Sequence, residues 1–194
     1  PTELDADLVT LGETDFDGAL VSAMTAHPKA DPDTGRLCFF GAGPAAPHLH
    51  YYELDASGAM AHHAPIDLPA PVMMHDFVVT ERHAVFFDLP AVFDIEGMLN
   101  GGPIVRWTPE HGARIGVMPR DGGNADVRWF EVDPFYAYHF LNGWDDGDAV
   151  VVDGCRADDL VIGFGDTEGA PPAFPHLHRW RLDLATGTAT DEAL

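Results

Sequence analysis

Apolar residues along this chain fall in short runs separated by turn chemistry, without the spacing of an amphipathic helix. Leu37-Cys38-Phe39-Phe40, Ala84-Val85-Phe86-Phe87 and Ala149-Val150-Val151-Val152 are runs of strand length. His48-Leu49-His50-Tyr51-Tyr52-Glu53-Leu54-Asp55 leads to Ala56-Ser57-Gly58, which predicts a strand entering a hairpin, with the return strand over 59–68. Residues 71–90 predict another strand pair, and shorter strands are expected at 8–11, 104–107, 113–119, 127–132 and 176–184. Asp31-Pro32-Asp33-Thr34-Gly35 is strong turn chemistry, because proline presets one dihedral and glycine admits positive φ. Residues 91–112 and 157–175 read as loops. No segment holds a 3.6-residue apolar period over three turns, so the fold class predicted is all-β.

The pattern repeats. Leu49-His50-Tyr51-Tyr52-Glu53-Leu54-Asp55-Ala56-Ser57-Gly58 returns as Leu177-His178-Arg179-Trp180-Arg181-Leu182-Asp183-Leu184-Ala185-Thr186-Gly187, with one residue inserted. The offset is 128 residues, twice the 64 that separate His75 from His139. Repeats of roughly 50 residues with four short strands each mark propeller blades. The expectation is one partial β-propeller domain over 1–194, holding about three to four blades, with the N- and C-terminal blades missing. An open arc of blades leaves two sheet edges exposed, which a closed propeller does not. That, and a start at Pro1 rather than Met, points to an internal fragment.

Three histidines share one place in this pattern. The next apolar strand core begins ten residues after His27, nine after His75 and ten after His139. Equivalent positions of successive blades converge on a propeller axis, and three neutral imidazoles converging there suit Zn, Cu, Fe or Ni. His48/His50 and His176/His178 are i, i+2 pairs, each on one strand face, and are assigned to surface or packing roles. His62, His63 and His111 are placed in polar loops and His83 in a turn, outside the site. No carboxylate stands in register with the three, which argues against a 2-His-1-carboxylate iron centre. H-E-x-x-H, G-x-S-x-G, P-loop, G-x-G-x-x-G and C-x-x-C motifs are all missing, so hydrolase, nucleotide and disulfide chemistry have no support.

Composition narrows the partners. Ten basic residues against 32 acidic ones give a formal charge of −22, a field that repels nucleic acid and anionic membranes. Solubility or a saline habitat accounts for that excess. Cys38 and Cys155 lie in apolar runs and read as buried thiols, so no oxidising compartment is required. No signal peptide opens the chain and no apolar run nears the ~18 residues of a membrane span. A cytoplasmic location is expected.

The residues around the three histidines resemble a known family, the carotenoid cleavage oxygenases. Ala26-His27-Pro28-Lys29, followed by Asp31-Pro32 and Thr34-Gly35, is similar to its first histidine motif. Met73-Met74-His75-Asp76-Phe77, with Thr80-Glu81 and Phe87-Asp88-Leu89-Pro90, resembles the second. Arg114-Ile115-Gly116-Val117-Met118-Pro119-Arg120, then Trp129-Phe130-Glu131-Val132 and His139-Phe140-Leu141-Asn142-Gly143-Trp144, resembles the third. The motifs occur in family order along nearly the whole chain.

The resemblance implies a seven-bladed propeller carrying Fe(2+) held by four histidines, of which His27, His75 and His139 would be three. It implies a non-haem dioxygenase that uses O2 to split a conjugated C=C bond of a small apolar apocarotenoid or stilbenoid substrate into two carbonyl products. Nothing after His139 matches the fourth histidine motif, and the family's glutamates that hydrogen-bond the ligands also fall outside 1–194. The fragment alone is therefore expected to be inactive. Phe77 and Phe140, each close to a ligand, are candidates for lining the substrate space or for packing inside a blade. An isomerase of the same family, a non-catalytic propeller scaffold and a zinc hydrolase are the competing readings.

Overall fold

The computed structural model describes residues 1–160 and 174–194, so most of the loop expected over 157–175 lies outside the described residues. Sixteen strands are present among them. β1 (Thr2–Leu4) and β2 (Thr10–Glu13) form an antiparallel ribbon. β3 (Lys29–Ala30), β4 (Leu37–Ala42), β5 (His48–Leu54) and β6 (Met60–Asp67) make the first four-stranded sheet, in the order β3-β4-β5-β6. β7 (Val78–Val79) and β8 (His83–Asp88) begin the second sheet. A side ribbon of β9 (Ala91–Phe93) and β10 (Val105–Trp107) then interrupts it, carrying the helix α1 (Ile95–Leu99) between its strands. β11 (Ala113–Pro119) and β12 (Arg128–Val132) complete the sheet in the order β7-β8-β11-β12. β13 (Phe140–Asp146), β14 (Ala149–Arg156), β15 (His176–Asp183) and β16 (Thr188–Ala193) form the third, again as an antiparallel meander.

The all-β reading therefore holds, and the repeat has a structural meaning. The apolar runs at 37–40, 84–87 and 149–152 are the second strands of the three sheets, and the matching segments at Leu49 and Leu177 lie on two third strands, β5 and β15. Three sheets with this shared order give a propeller-like arrangement. The helix α1 was not expected. Its five residues are too few for a helical period, and it starts because Asp94 caps it, accepting from the Gly97 amide at 2.7 Å. His62 and His63, expected in a loop, lie on β6, where the strand's alternation turns His63 outward and His62 toward the Gly122 carbonyl.

Packing explains why the second strands are apolar on both faces. In β8, Ala84 and Phe86 face the first sheet and join Phe40, Tyr51 and Ile66 in one buried cluster. Val85 and Phe87, pointing the other way, join Ile115, Val150, Val152 and Trp180 between the second and third sheets. The outer face of the first sheet is covered by the N-terminal segment, with Phe16, Leu20 and Met24 against Phe39, Tyr52 and Leu54. Gly41 makes that cover possible, because a Cβ there would lie 1.9 Å from the Ala23 carbonyl oxygen. The turn at Asp31 forms as expected, with Gly35 at φ 69° and Asp31 Oδ1 accepting from the Asp33 and Thr34 amides.

Polar groups at the seams between sheets are paired. Glu53, fully buried, accepts from Arg36 Nη1 (2.8 Å), Arg120 Nε (2.8 Å) and the Tyr51 hydroxyl (2.6 Å). Arg120 also reaches Asp31 at 2.8 Å, so it ties the second sheet to the first. Asp145 of β13 takes His83 Nδ1 at 2.6 Å and the Arg82 amide at 3.1 Å, which ties the third sheet to the second. All ten Lys and Arg residues are committed in this way: nine to carboxylates and Arg128 to the Leu184 carbonyl. Cys38 and Cys155 are unpaired thiols, and burial pushes the Cys38 thiol up to about 11, so it stays neutral.

Two consequences can be measured. β13 crosses β7 so closely that a Cβ on Gly143 would lie 2.3 Å from Val78 Cγ1. Gly143→Ala should cost about 1–3 kcal/mol in denaturant unfolding, and Val78→Ala in that background should recover part of the loss. Burial opposes ionisation of Glu53, but the bonds from Arg120, Tyr51 and Arg36 outweigh it and hold the carboxyl below its ordinary range. Its contribution is complete above the unfolded carboxylate value and disappears as pH falls through the lower folded one. The unfolding midpoint should thus drop below about pH 4. Glu53→Gln should cost about 3–5 kcal/mol at neutral pH and flatten that acid limb.

Candidate metal centre

Each of the three histidines stands just ahead of the first strand of a sheet. His27 precedes β3, His75 precedes β7 and His139 precedes β13. Because β7 and β13 pack together and Asp76 bridges to β3, the three rings meet at one end of these strands. The His27 and His75 Nε2 atoms are 3.0 Å apart. Ring centroids are separated by 4.7 Å (His27–His75), 4.9 Å (His27–His139) and 5.1 Å (His75–His139). One nitrogen from each ring lies within 4.8 Å of the others, with His27 and His75 half-buried and His139 exposed.

This donor set fits a divalent metal. With imidazole–metal bonds of about 2.1 Å, ligands at right angles sit roughly 3 Å apart, the separation of the first pair. The rings must also be neutral to bind. Burial, and then the neighbouring His27 and His139, hold His75 below the ordinary histidine value, against an opposing pull from Asp76. Among the described residues no Asp, Glu or Cys joins this group, whose donors are all imidazoles.

The surroundings brace it. Thr25 Oγ1 accepts from the His27 amide (3.1 Å) and donates to the His75 carbonyl (3.4 Å), while the Thr25 amide bonds the Phe40 carbonyl in β4 (2.8 Å). The buried Asp76 carboxylate receives Lys29 Nζ, the Phe77 amide and the Phe140 amide, at 2.6, 2.8 and 3.1 Å. Tyr138, half-buried, sets its ring edge-on to His75 at 5.4 Å, and burial raises its phenol. Neither Asp76 nor Tyr138 was singled out from the sequence. The motif spacing marks positions within a sheet, whereas both act between sheets.

The other described histidines are occupied elsewhere. His83 pairs with Asp145, His111 with Asp88 at 2.8 Å and His178 with Asp191 at 2.6 Å. His62 Nε2 donates to the Gly122 carbonyl, His63 stacks on Tyr52 at 4.5 Å, and His48 reaches the Gly43 carbonyl. His50 and His63 hydrogen-bond each other at 3.0 Å. Phe77 and Phe140 belong to the packing. Phe77 is fully buried against Phe40, Tyr51 and Phe86, and Phe140 stacks on Phe87 at 3.8 Å. Phe77→Ala should therefore cost about 3–5 kcal/mol in equilibrium unfolding. A near-neutral result would instead place Phe77 on an open substrate surface.

Known proteins resemble this chain in sequence and fold. The family described as "Retinal pigment epithelial membrane protein" matches residues 1–194. Isoeugenol monooxygenase of Pseudomonas nitroreducens is 36% identical over 193 residues, covering 95% of this chain and 40% of that protein. The carotenoid 9,10(9',10')-cleavage dioxygenase of Crocus sativus is 37% identical over 195 residues, covering 98% of this chain and 36% of its own length. Among solved structures, lignostilbene dioxygenase of Pseudomonas brassicacearum superposes with a TM-score of 0.89 at 37% identity, over all of this chain and 43% of that one. The cobalt-substituted Synechocystis apocarotenoid oxygenase shares the fold at a TM-score of 0.83 and 24% identity, over 44% of its chain. The chain thus spans about two fifths of the length of these relatives. It belongs to the retinal pigment epithelial membrane protein family, which includes the carotenoid cleavage oxygenases.

Proposed function

We propose that the protein containing this chain is a non-haem Fe(2+) dioxygenase that splits a conjugated C=C bond of a stilbenoid or apocarotenoid with O2 into two carbonyl products. The observation that carries this reading is the meeting of His27, His75 and His139, one from each sheet, with no carboxylate among them. His27, His75 and His139 supply three neutral ligands of a four-histidine set. The fourth, and the glutamates that orient such ligands, belong to segments beyond 1–194, in a propeller of seven blades of which residues 1–194 form a part. Held by these uncharged imidazoles, an iron ion would keep its 2+ charge and would supply the centre for O2 chemistry.

The chain's own residues hold the rings in place. Thr25 fixes the backbone at two ligands, and the core aromatics beneath keep the first strands rigid. Tyr138 presents an aromatic edge beside His75, a surface suited to a flat conjugated substrate. The relatives at 36–37% identity are named for isoeugenol, lignostilbene and carotenoid chemistry, which supports a conjugated alkene as the substrate class.

The test uses the full-length protein loaded with iron. Oxygen uptake and product masses are followed with a phenylpropenoid, a stilbenoid and an apocarotenoid. Cleavage of at least one, with one O2 consumed per bond broken and both carbonyl fragments recovered, is expected. His27→Ala, His75→Ala and His139→Ala should each bring iron below stoichiometry and activity to background, while His111→Ala keeps its iron. Iron-replete protein that cleaves none of the three, or returns a product of unchanged mass, overturns the dioxygenase reading.

A further inference from the structure

We infer that Asp76 is a positioning residue that holds the three ligand-bearing segments in register through one carboxylate. The inference rests on the proposal above that His27, His75 and His139 bind the metal. Asp76 is 3% exposed. Its Oδ1 receives Lys29 Nζ at 2.6 Å and the Phe77 amide at 2.8 Å, and its Oδ2 receives the Phe140 amide at 3.1 Å. Every donor follows a ligand closely: Lys29 is two residues past His27, Phe77 two past His75, and Phe140 directly after His139. One group therefore meets all three sheets at the point where each presents its histidine.

The strands cannot do this alone. β3 and β7 are two residues long, so few ladder bonds fix the backbone beside His27 and His75. β13 starts with a register irregularity between Phe140 and Asn142. Among the rings, the His27–His75 hydrogen bond at 3.0 Å is too slight to set three backbone segments in register. An external clamp is needed, and an ionised carboxylate is the side chain that accepts from three donors on two oxygens without offering a proton of its own. Lys29 neutralises the buried charge, so the clamp places no net charge beside the rings.

Asparagine separates this role from simple packing. Asp76→Asn keeps the size and one acceptor oxygen, but turns an NH2 group toward the Phe140 amide or, flipped, toward Lys29 Nζ and the Phe77 amide. Partners that orient metal ligands typically contribute about 10- to 100-fold in metal affinity. In the full-length protein, Asp76→Asn should weaken Fe(2+) and Co(2+) binding by that factor in chelator competition. Lys29→Met, which spares both backbone bonds, should weaken it by roughly three- to tenfold. A second readout needs no metal. With histidine rings isotopically labelled, the metal-free native protein should show a His27–His75 ring contact by NMR, and Asp76→Asn should lose it while keeping its β-sheet circular dichroism.

Asp76→Asn that binds metal like the native protein and keeps the ring contact overturns the inference, even though His75→Ala still abolishes binding. Native protein that shows the ring contact yet binds neither metal removes the metal reading, and the inference then stands or falls on whether the variant loses that contact. If Asp76→Asn does not fold, Lys29→Met decides: unchanged affinity and ring contact overturn the clamp, and a severalfold loss in a folded protein supports it.

Discussion

Phe86 and Phe87 leave the same strand on opposite sides, and neither side meets water. That constraint organises the molecule. A strand apolar on both faces has to be covered twice, so the second sheet is held between the first and the third. Each fully buried phenylalanine contributes about 1.5–3 kcal/mol relative to exposure, and β8 carries two in succession. Once the sheets are stacked in this way, their first strands lie side by side at one edge. The histidines ahead of those strands are carried to one point by packing that lies well away from them.

Apolar contact sets the order of the sheets but not their fine register, since hydrophobic attraction has no direction. The charged groups at the seams supply it. A slip of one residue along β5 would move Glu53 to the opposite face and strip it of Arg36 and Arg120, leaving a buried charge unpaired at a cost of several kcal/mol. Asp145 does the same work for the third sheet through His83 and the Arg82 amide. Asp76 continues this series at the point where the three histidine rings meet.

What the sequence shows and what it hides follow from the same division. The offsets from His27, His75 and His139 to their apolar runs are legible because each is set within one sheet, by turn length and strand period. The echo of Leu49 at Leu177 is legible for the same reason, since both lie on third strands. Asp76 is not legible in this way: its bonds to Lys29 and Phe140 run between sheets, and the apolar pattern marks positions within one. His62 and His63 read as loop residues because polar side chains fill both faces of β6 at that point, and only His63 is exposed. Helix α1 is hidden by brevity. The choice among Zn, Cu, Fe and Ni is also beyond spacing, because imidazole accepts them all.

Every lysine and arginine already has a partner within the chain, several of them at the surface, and the net −22 that remains has no further side-chain cation to relieve it. Dissolved ions must supply that relief, so the protein carries a diffuse cloud of cations and behaves in solution as a small polyelectrolyte. At low ionic strength the uncompensated carboxylates repel one another across distances comparable with the molecule. At physiological salt the screening length shrinks to about 8 Å and that pressure subsides. The buried bridges, shielded from the same ions, keep their strength. Added salt therefore tightens the shell without loosening the seams.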